Sequence, residues 1–223
     1  MPVATHTLPR CEMFVHPQAL VESSDIGRGT RIWAFAHVMA GAHIGSGCNI
    51  CDHTFIESGA ILGNNVTVKN GVAVWGGVTI EDNVFLGPQC VFTNDLNPRA
   101  YIKKGGTELL ETRVQANATA GANATILCGI VIGKYAFIGA GAVVTRRVPD
   151  FALIVGNPGR QLGWMCICAR RLELSTAAYP GSSCVCRSCQ RTFDRTSAGL
   201  IWRMANGENL SAITSMGESN NHE

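Results

Sequence analysis

Four cysteines near the C-terminal end of the chain have the spacing of a metal site. Cys166 and Cys168 form one close pair, Cys186 and Cys189 form another, and seventeen residues separate the two pairs. Four thiolates from two turns can surround a tetrahedral zinc ion. Because all four ligands would come from the protein, the ion would have a structural rather than a catalytic role. The spacing therefore predicts a structural zinc site, with Cys184 as a spare thiol.

Two details of this cysteine cluster differ from a typical zinc ribbon. The first pair has one intervening residue instead of two, and the glycine expected after each pair is replaced by Ala169 and Gln190. In a reducing compartment, crowded cysteines favour a metal over disulfides. The alternatives to zinc are a degenerate ribbon that binds no metal and a set of surface thiols.

A long polar segment, residues 93–113, is the second candidate for chemistry. It carries amide, carboxylate and cationic side chains but no histidine. Structureless loops of about twenty residues are uncommon in compact domains and are usually functional. We therefore expect this segment to be an external loop that takes part in a binding site.

The segments on both sides of this loop repeat every six residues. From Ile26 to Phe92 a large apolar residue recurs with this period, and the position four further on is small or β-branched. Gly or Asn stands at most positions three after each start, where either residue can adopt the positive φ of a tight corner. The period returns at Val114 and continues to Val144. Because no α-helix or ordinary strand has this period, the pattern predicts an all-β chain, a parallel β-helix of hexapeptide repeats.

The repeat also predicts a division of the chain. We expect an N-terminal arm (1–13), a β-helix (14–150) with the external loop (93–113), a Cys-rich C-terminal extension (151–204) and a disordered tail (205–223). The tail is polar and lacks hydrophobic periodicity, so it has little apolar surface to bury.

Three corners of the repeat carry bulky residues in place of Gly or Asn. Phe35, His53 and Gln89 are separated by eighteen and thirty-six residues, so three hexapeptides per coil would stack them on one edge, with Gly71 between. Strained corners cluster at functional sites, which favours a substrate cleft along this edge. Another turn type at these corners is the alternative. His53 is the only histidine on this edge and is our candidate for a general base or orienting group.

Composition excludes two broad classes of function. The formal net charge is +2 without a long basic run, so we expect no nucleic-acid partner. The N-terminal segment lacks an apolar signal core, and no uncharged stretch is long enough to span a bilayer. We therefore expect a cytoplasmic protein without a membrane span.

From Ile32 to Trp164 the chain resembles the hexapeptide-repeat acyltransferase superfamily. Within it, the chain is most similar to the UDP-2-acetamido-3-amino-2,3-dideoxy-glucuronate N-acetyltransferases, some of which also have a Cys-bearing tail. The motifs that carry the resemblance are NICDHTFIE (49–57), VAVWGGVTIEDNVFLGP (72–88), FTNDLNPRA (92–100), GANATILCG (121–129), GAGAVVTRRVPD and VGNPGRQLGW (155–164). The resemblance implies a left-handed β-helix with eighteen residues per coil. This hand could not be derived from the repeat, because crossover connections are usually right-handed.

The resemblance also implies an activity. The expected reaction is transfer of an acetyl group from acetyl-CoA to the amino group of a nucleotide-linked amino sugar, with a UDP-linked 3-amino sugar acid favoured. Its product would be a precursor of a cell-surface polysaccharide. The expected assembly is a homotrimer in which CoA lies between neighbouring subunits.

Roles for individual residues follow from the same resemblance. Asn94 would orient the sugar amine or carboxylate as part of the catalytic set, with Asp95 beside it. Arg99 and Lys103, or Lys104 in its place, would bind the sugar acid or the diphosphate. The expected lining of the cleft is Phe35, His53 and Gln89.

The cofactor residues are also expected by resemblance. The backbone of Ala122, Gly139 and Gly141 would bind the pantetheine amides of CoA. Arg146 and Arg147 would bind its phosphates. A solvated end of the β-helix is the alternative for these two arginines.

Three other functions compete with this reading. O-acetylation of a small acceptor, such as serine or a xenobiotic, is the nearest, and the lack of a loop histidine counts against it. A zinc-dependent carbonic anhydrase of the same fold needs converging histidines, whereas His37, His43 and His53 occupy different corners or coils. A non-catalytic scaffold would leave the long loop and the aligned corner exceptions unexplained.

Overall fold

Short strands make up nearly all of the regular structure. The computed structural model describes residues 12–104 and 108–203. Most of the expected N-terminal arm and the whole of the expected tail lie outside these residues. The first nineteen strands have two or three residues each. They are β1 (Phe14–Val15), β2 (Leu20–Val21), β3 (Arg31–Ile32), β4 (His37–Val38), β5 (His43–Ile44), β6 (Asn49–Ile50), β7 (Phe55–Ile56), β8 (Ile61–Leu62), β9 (Thr67–Val68), β10 (Ala73–Val74), β11 (Val78–Ile80), β12 (Phe85–Leu86), β13 (Val91–Phe92), β14 (Thr112–Val114), β15 (Thr119–Ala120), β16 (Thr125–Ile126), β17 (Val131–Ile132), β18 (Phe137–Ile138) and β19 (Val143–Val144).

These strands stack into three parallel sheets, the faces of a triangular left-handed β-helix. Face A contains β1, β3, β6, β9, β12, β15 and β18; face B contains β2, β4, β7, β10, β13, β16 and β19; face C contains β5, β8, β11, β14 and β17. Paired residues on neighbouring coils are mostly eighteen residues apart, as in the pairing of Asn49 with Thr67. The predicted fold is confirmed.

The long loop is an insertion between two coils. Phe85 pairs with Thr119, and Val91 pairs with Thr125, so the usual spacing is exceeded by the length of the insertion. The coils above and below the insertion remain in parallel register. The loop therefore projects from the β-helix without interrupting its core.

The core is filled by the two inward positions of each hexapeptide. The large position is 0–2% exposed from Ile32 to Val144, and the small position is similarly buried at residues such as Ala36 and Cys90. Burial of apolar surface stabilises the fold by about 25 cal/mol per Å². Because each coil buries its apolar residues against the coils above and below it, every coil depends on its neighbours for stability. The predicted alternation of large and small core residues is confirmed.

Corners between the faces form three edges. Edge AB runs through Phe35, His53, Gly71, Gln89, Asn123 and Gly141; edge BC runs through Gly41, Gly59, Gly77, Glu111 and Gly129; edge CA runs through Gly29, Gly47, Asn65, Asn83, Asn117, Tyr135 and Phe151. The external loop leaves edge BC between Phe92 and Glu111.

The C-terminal part packs against the last coil. It contains β20 (Ala152–Val155), β21 (Arg160–Met165), β22 (Arg171–Leu172), β23 (Ser183–Val185), β24 (Thr192–Arg195) and β25 (Leu200–Arg203). Strand β20 pairs in parallel with β18, and β21 and β22 extend the same sheet in antiparallel order. The parallel stack thus continues for one strand beyond residue 150. The division of the chain into domains stays a prediction.

Aromatic contacts hold the C-terminal strands β23–β25 on the β-helix. The Phe193 ring meets the Phe151 ring edge-on at 5.4 Å, and the Arg195 guanidinium lies over the Trp164 ring at 5.0 Å. No helix long and apolar enough to cross a bilayer occurs in the described part of the chain.

Candidate functional site

The three bulky corner residues of edge AB adopt the left-handed conformation. Phe35, His53 and Gln89 have φ of 60°, 58° and 56°. The Phe35 and His53 rings stack with centroids 5.0 Å apart and planes inclined by 13°. This contact matches the spacing of neighbouring coils, about 4.8 Å. The predicted alignment of these residues on one edge is confirmed, and the alternative of another turn type is excluded.

Gly71 leaves room for the Gln89 side chain on this edge. A Cβ on Gly71 would overlap the Gln89 amide, so this amide lies over the glycine. Edge AB therefore presents a column of planar groups: an aromatic ring, an imidazole and an amide. Their outer edges can contact a polar ligand.

The C-terminal half of edge AB has small side chains and free backbone donors. The N–H groups of Gly139 and Gly141 donate to Ile154 and Ala122 of the adjacent coils. Those of Ala122 and Ala140 have no hydrogen-bond partner within the described residues. Each of the two follows a glycine, so no bulky side chain covers it. This part of the edge can bind an extended ligand that carries amide carbonyl groups.

Several of the equivalent donors on the other edges are bonded by side chains. On edge BC the Glu57 carboxylate accepts the Gly76 N–H at 2.7 Å, and the Thr93 hydroxyl accepts the Cys128 N–H at 3.0 Å. On edge CA the N–H groups of Ser46, Asn64, Ala116 and Lys134 donate to Asn64, Asp82, Glu81 and Asp150 respectively. On edge CA, however, the N–H groups of Asp82 and Asp150 also have no partner among the described residues. Free donors therefore occur on more than one edge, and edge AB differs in the small side chains beside them.

The loop on edge BC is held by its own polar contacts. The Lys104 ammonium lies 2.6 Å from an Asp95 carboxylate oxygen, and the side-chain hydrogen bond lowers the pKa of Asp95. The Asn94 carbonyl accepts the Leu110 N–H at 3.1 Å, which fixes the base of the loop. Lys104 is therefore engaged within the loop. Arg99 and Lys103 are exposed on it.

An open groove of about 960 Å³ lies under the loop on edge BC. Glycines 59, 76, 77 and 129 form much of its floor, and Leu109 and Leu110 form its wall. The carboxylates of Glu57 and Glu111 also line it, and no Arg or Lys belongs to its lining within the described chain. The groove is thus suited to a neutral or cationic ligand.

Arg146 and Arg147 line a second cleft, of about 210 Å³, on the last coil. Its other wall is the β20–β21 hairpin, which contributes Gly159 and Gln161. Both arginines are exposed at the surface. The cleft offers two cations beside backbone and amide groups, a combination that suits phosphate.

The predicted site residues form two groups on one chain. Phe35, His53, Gln89, Ala122, Gly139 and Gly141 lie on edge AB; Asn94, Asp95, Arg99, Lys103, Arg146 and Arg147 lie on edge BC or its loop. Face B separates the groups, because each corner of edge AB precedes a face B strand and each corner of edge BC follows one. One chain therefore does not bring the whole predicted set together.

The members of the two groups nevertheless share coils. Gln89 stands before β13 and Asn94 follows it, so both belong to one coil. Gly141 and Arg146 flank β19 in the same way. The two groups therefore match in height along the β-helix. Gln89 lies level with Asn94 at the start of the loop, and Gly141 lies level with Arg146 on the last coil.

The four predicted metal ligands converge. The Sγ atoms of Cys166, Cys168, Cys186 and Cys189 all lie within 4.8 Å of one another. Two of the separations are 3.3 Å, between Cys166 and Cys189, and 3.7 Å, between Cys168 and Cys186. Tetrahedral zinc with bonds of about 2.3 Å needs sulfur atoms roughly 3.8 Å apart. The donor set fits a Cys₄ zinc ion, and the thiols are not joined as disulfides.

The turns that carry these thiols have the geometry of metal-binding knuckles. Ala169 and Gln190 adopt φ of 60° and 59°, the conformation for which glycine was expected. Burial raises the pKa of Cys166, so proton loss there needs compensating charge such as a metal. For Cys189 burial also acts upward, but the Arg191 backbone and side-chain donors and the neighbouring thiols outweigh it, and the pKa falls to about 6.

Some residues escaped the sequence analysis. Tyr135 and Phe151 adopt φ of 57° and 61° and stack at 5.0 Å, on the edge where the C-terminal strands dock. Their positions in the repeat could have revealed them as further corner exceptions. Glu57 was missed because a carboxylate after a strand usually marks only a solvated surface.

The histidines lie on different sides of the β-helix. His37 belongs to face B and contacts Glu22 at 3.3 Å, and His43 belongs to face C and contacts Asp25 at 2.8 Å. His53 stands on edge AB, and His16 lies in the first corner of the same edge, between β1 and β2. The prediction that His53 is the only histidine on this edge is therefore wrong. Three histidines of one chain therefore do not converge on one corner.

Comparison with known proteins gives the family. The family model "Bacterial transferase hexapeptide (six repeats)" matches residues 23–58, 59–94 and 111–146. A dTDP-3-amino-3,6-dideoxy-alpha-D-galactopyranose 3-N-acetyltransferase of Aneurinibacillus thermoaerophilus is 54% identical over 160 residues, which are 72% of this chain and 82% of that protein. The chain belongs to the bacterial transferase hexapeptide family. The family and the acyltransferase class predicted from the repeat and motifs are thereby confirmed.

Solved structures with similar backbones include two acetyltransferases. PerB from Caulobacter crescentus, in complex with CoA and GDP-perosamine, aligns with a TM-score of 0.43 and 23% identity over 69% of this chain and 58% of that one. The acetyltransferase domain of PglB from Neisseria gonorrhoeae aligns with a TM-score of 0.46 and 23% identity, over 69% of this chain and 58% of the other.

Proposed function

We propose that this protein transfers an acetyl group from acetyl-CoA to the amino group of a nucleotide-linked amino sugar, at sites between subunits of a homotrimer. The observation that carries the proposal is the pair of half-sites on edges AB and BC, at matching heights on either side of face B. The activity of the 54% identical relative supplies the chemistry.

A threefold assembly would join the two half-sites. If face B of each subunit turns toward the axis, edge AB of one subunit meets edge BC of the next, because a cyclic assembly repeats one heterologous contact. Because a threefold axis rotates the subunits without shifting them along the axis, the same coil of each subunit lies at the same height. Gln89 then faces Asn94 of the partner subunit, and Gly141 faces the partner subunit's Arg146.

The surface of face B supports this orientation. Its outward positions are mostly apolar, and two of them, Leu20 and Val91, are about half exposed in the isolated chain. Contact around an axis would bury such side chains, which favours association. The loop, with exposed Leu96, Tyr101 and Ile102, extends the same apolar surface toward a neighbour.

CoA would lie along edge AB. The free N–H groups of Ala122 and Ala140 would donate to pantetheine carbonyls, and the small corner residues would admit the chain. Arg146 and Arg147 of the neighbouring subunit would bind the phosphates at the end of the β-helix. The thioester would then reach the coil of Gln89 and the partner subunit's Asn94.

The chemistry requires positioning more than activation. The amine nitrogen attacks the thioester carbonyl carbon, the C–N bond forms and the C–S bond breaks, and the amine proton passes to the CoA sulfur. Holding both reactants at one corner supplies proximity, and the amide groups of Asn94 and Gln89 can stabilise the developing oxyanion. His53 stands two coils from Gln89, about 10 Å away, which favours a binding role over that of general base.

For the acceptor we propose a dTDP-linked 3-amino-3,6-dideoxyhexose. The relative acts on such a sugar, and the groove under the loop is lined by the carboxylates of Glu57 and Glu111. An ammonium complements these charges, whereas a sugar carboxylate would be repelled. The UDP-linked 3-amino sugar acid expected from the motifs is the second candidate; exposed Arg99 and Lys103 favour it. In either case the product would serve as a precursor of a surface polysaccharide, made in the cytoplasm.

The cysteine cluster is proposed to hold structural zinc. The residues that would bind the ion are Cys166, Cys168, Cys186 and Cys189. The ion would join the turn after β21 to the turn before β24 and so fix the C-terminal strands on the last coil. It would take no part in acyl transfer.

The test is release of free CoA thiol from acetyl-CoA with a panel of amino-sugar nucleotides. Turnover with dTDP-linked 3-amino sugars and none with serine or xenobiotic acceptors is expected. Asn94→Ala should reduce kcat/KM by about a hundredfold, the usual effect of losing one oxyanion donor, with the fold intact. Asn97→Ala is the matched control in the same loop.

Other outcomes separate the alternatives. Full activity of Asn94→Ala would remove the loop from the site. Turnover confined to hydroxyl acceptors would show that the protein is an O-acetyltransferase. If the protein does not bind acetyl-CoA at all, the acetyltransferase proposal fails and a non-catalytic scaffold becomes the better explanation.

A further inference from the structure

A cleft on the C-terminal extension lies outside the proposed acyl-transfer site. Its volume is about 210 Å³, and its polar lining consists of Arg170, Arg171, Glu173, Arg187 and Ser188. The residues of one wall follow the first cysteine pair, and those of the other wall lie inside or next to the second pair. None of them has a role in the proposed reaction.

The extension around this cleft is strongly cationic. Residues 151–203 contain seven arginines, no lysine and two acidic side chains, whereas residues 12–150 hold ten basic and eleven acidic side chains. Positive charge is thus concentrated on the smaller part of the chain. An arginine-only surface favours ligands that accept paired hydrogen bonds from a planar guanidinium.

Two of these arginines have structural contacts away from the cleft. Arg203 binds the Asp194 carboxylate through two hydrogen bonds, of 2.8 and 2.6 Å. Arg195 donates to the carbonyls of Thr196 and Gly199 and covers Trp164. Their charges therefore serve the packing of the extension.

The cleft arginines are less committed. Arg187 contacts Glu173 at 2.5 Å, but both side chains are exposed, so solvent screens this pair and a stronger anion can displace it. Arg171 donates one hydrogen bond to the Leu162 carbonyl at 3.1 Å. Arg170 has no side-chain hydrogen-bond partner in the ranges that the structure covers. The cleft thus holds three guanidinium groups but one carboxylate, which contacts Arg187 alone.

The cysteine cluster brings the two walls together. Cys168, two residues before Arg170, lies 3.7 Å from Cys186, the neighbour of Arg187. The Cys166 N–H donates to the Arg170 carbonyl at 2.8 Å, which fixes the first wall on its turn. The backbone segments that carry Arg170 and Arg187 are therefore held together by the contacts between the two cysteine turns.

We propose that this cleft is a phosphate-binding site separate from the CoA site. Phosphate carries more than one charge and offers enough oxygens for two guanidinium groups and the Ser188 hydroxyl. The same group occurs in free nucleotides or diphosphate and in anionic lipid headgroups. Both sources share the chemistry that the cleft recognises.

The test uses the full chain with saturating CoA, which occupies the phosphate cleft of the acyl-transfer site. Inorganic pyrophosphate is titrated by calorimetry, and vesicles of phosphatidylglycerol in phosphatidylcholine are tested by co-sedimentation. Arg170→Ala with Arg187→Ala should weaken binding of the active probe at least tenfold, since each removes a charge-assisted donor. Arg203→Ala is the control for loss of charge on the same extension.

Each outcome decides the proposal. If only pyrophosphate binds, and the binding depends on the arginines, the ligand is a free phosphate compound. If only the vesicles bind in this way, the ligand is a lipid headgroup. Either result supports the site. Binding of neither probe overturns it. Equal weakening by Arg203→Ala also overturns it, because general charge attraction would then explain the binding. Acetyl transfer should stay unchanged in the Arg170 variant.

Discussion

Buried threonines show how single side chains serve this core. The Thr30 hydroxyl donates to the Gly45 carbonyl at 2.7 Å and accepts the Cys48 N–H at 3.1 Å. The hydroxyls of Thr54 and Thr112 are also buried but have no hydrogen-bond partner. A buried hydroxyl without a partner loses its hydration and gains nothing in return. Three residues of one type thus have opposite effects on stability.

This difference predicts the effects of valine substitutions. Thr54→Val and Thr112→Val should each raise the free energy of unfolding by about 1 kcal/mol, because the methyl group replaces a hydroxyl without a partner. Thr30→Val should lower it by about 1–3 kcal/mol. Urea denaturation of the three variants measures these changes. A similar decrease in the free energy of unfolding of all three variants would show that these core positions do not tolerate valine, whether or not the threonine hydroxyl has a partner.

The Asp95–Lys104 contact governs the loop at the residue scale. The hydrogen bond from Lys104 lowers the pKa of Asp95 below its ordinary value. A carboxyl whose pKa is depressed on folding stabilises the fold above its unfolded pKa, near 3.9, and loses this contribution as pH falls through the folded pKa. The loop contact should therefore persist through neutral and mildly acidic pH.

An NMR titration of the Asp95 carboxyl carbon checks this expectation. In the wild-type protein its midpoint should lie below the ordinary Asp range, and Lys104→Gln should move it upward toward that range. Lys103→Gln is the matched control, because Lys103 is exposed beside it. An unchanged midpoint in Lys104→Gln would mean that the ion pair does not form in solution.

At the scale of elements, the β-helix and the extension have different sources of stability. The β-helix depends on a continuous apolar core shared by all coils. The strands β23–β25 form a three-stranded sheet, which is small for independent stability and rests on Phe151 and the cysteine turns. Metal binding would therefore matter to the extension and little to the β-helix.

Replacing both thiols of one pair tests this division. Cys186→Ser with Cys189→Ser should release any bound zinc and lower the melting temperature of the extension only. Tryptophan fluorescence reports it, because Trp202 belongs to β25, and circular dichroism reports the β-helix. Cys48→Ser, a buried core thiol, is the contrasting variant and should destabilise the β-helix. Loss of the entire fold in the double variant would contradict independent stability of the β-helix.

At the scale of the whole molecule, the site is expected to need two subunits. Ala122→Trp would block the CoA groove on edge AB and leave edge BC intact, and Asn94→Ala would do the reverse. In a mixed trimer, the edge AB of an Asn94→Ala subunit meets the edge BC of an Ala122→Trp subunit, and this one site is complete. Mixing two inactive variants should therefore restore activity.

Co-refolding the two variants and measuring thiol release tests this prediction. Recovery of a substantial fraction of wild-type activity is expected, against about a hundredth or less when either variant is refolded alone. Sedimentation of the wild-type protein gives the assembly state independently. A trimer without complementation would place the whole site within one chain and would falsify the two-edge arrangement.

Much of this protein follows from its sequence. The period of six determined the β-helix, its buried positions and the place where the loop leaves, because each hexapeptide repeats one local pattern of large, small and corner residues. The alignment of Phe35, His53 and Gln89 followed from the same arithmetic. The cysteine spacing likewise predicted four converging thiols.

Tertiary structure decided the rest. Only the stacking of coils placed Asn94 and Gln89 on opposite sides of face B, because the repeat gives their order along the chain but not the width of the prism between them. That the N–H groups of Ala122 and Ala140 are free also depends on the fold, because it is set by which groups of the adjacent coils lie opposite them. The arginine cleft also needed the folded extension, since Arg170 and Arg187 meet through contacts between cysteines that are distant in sequence.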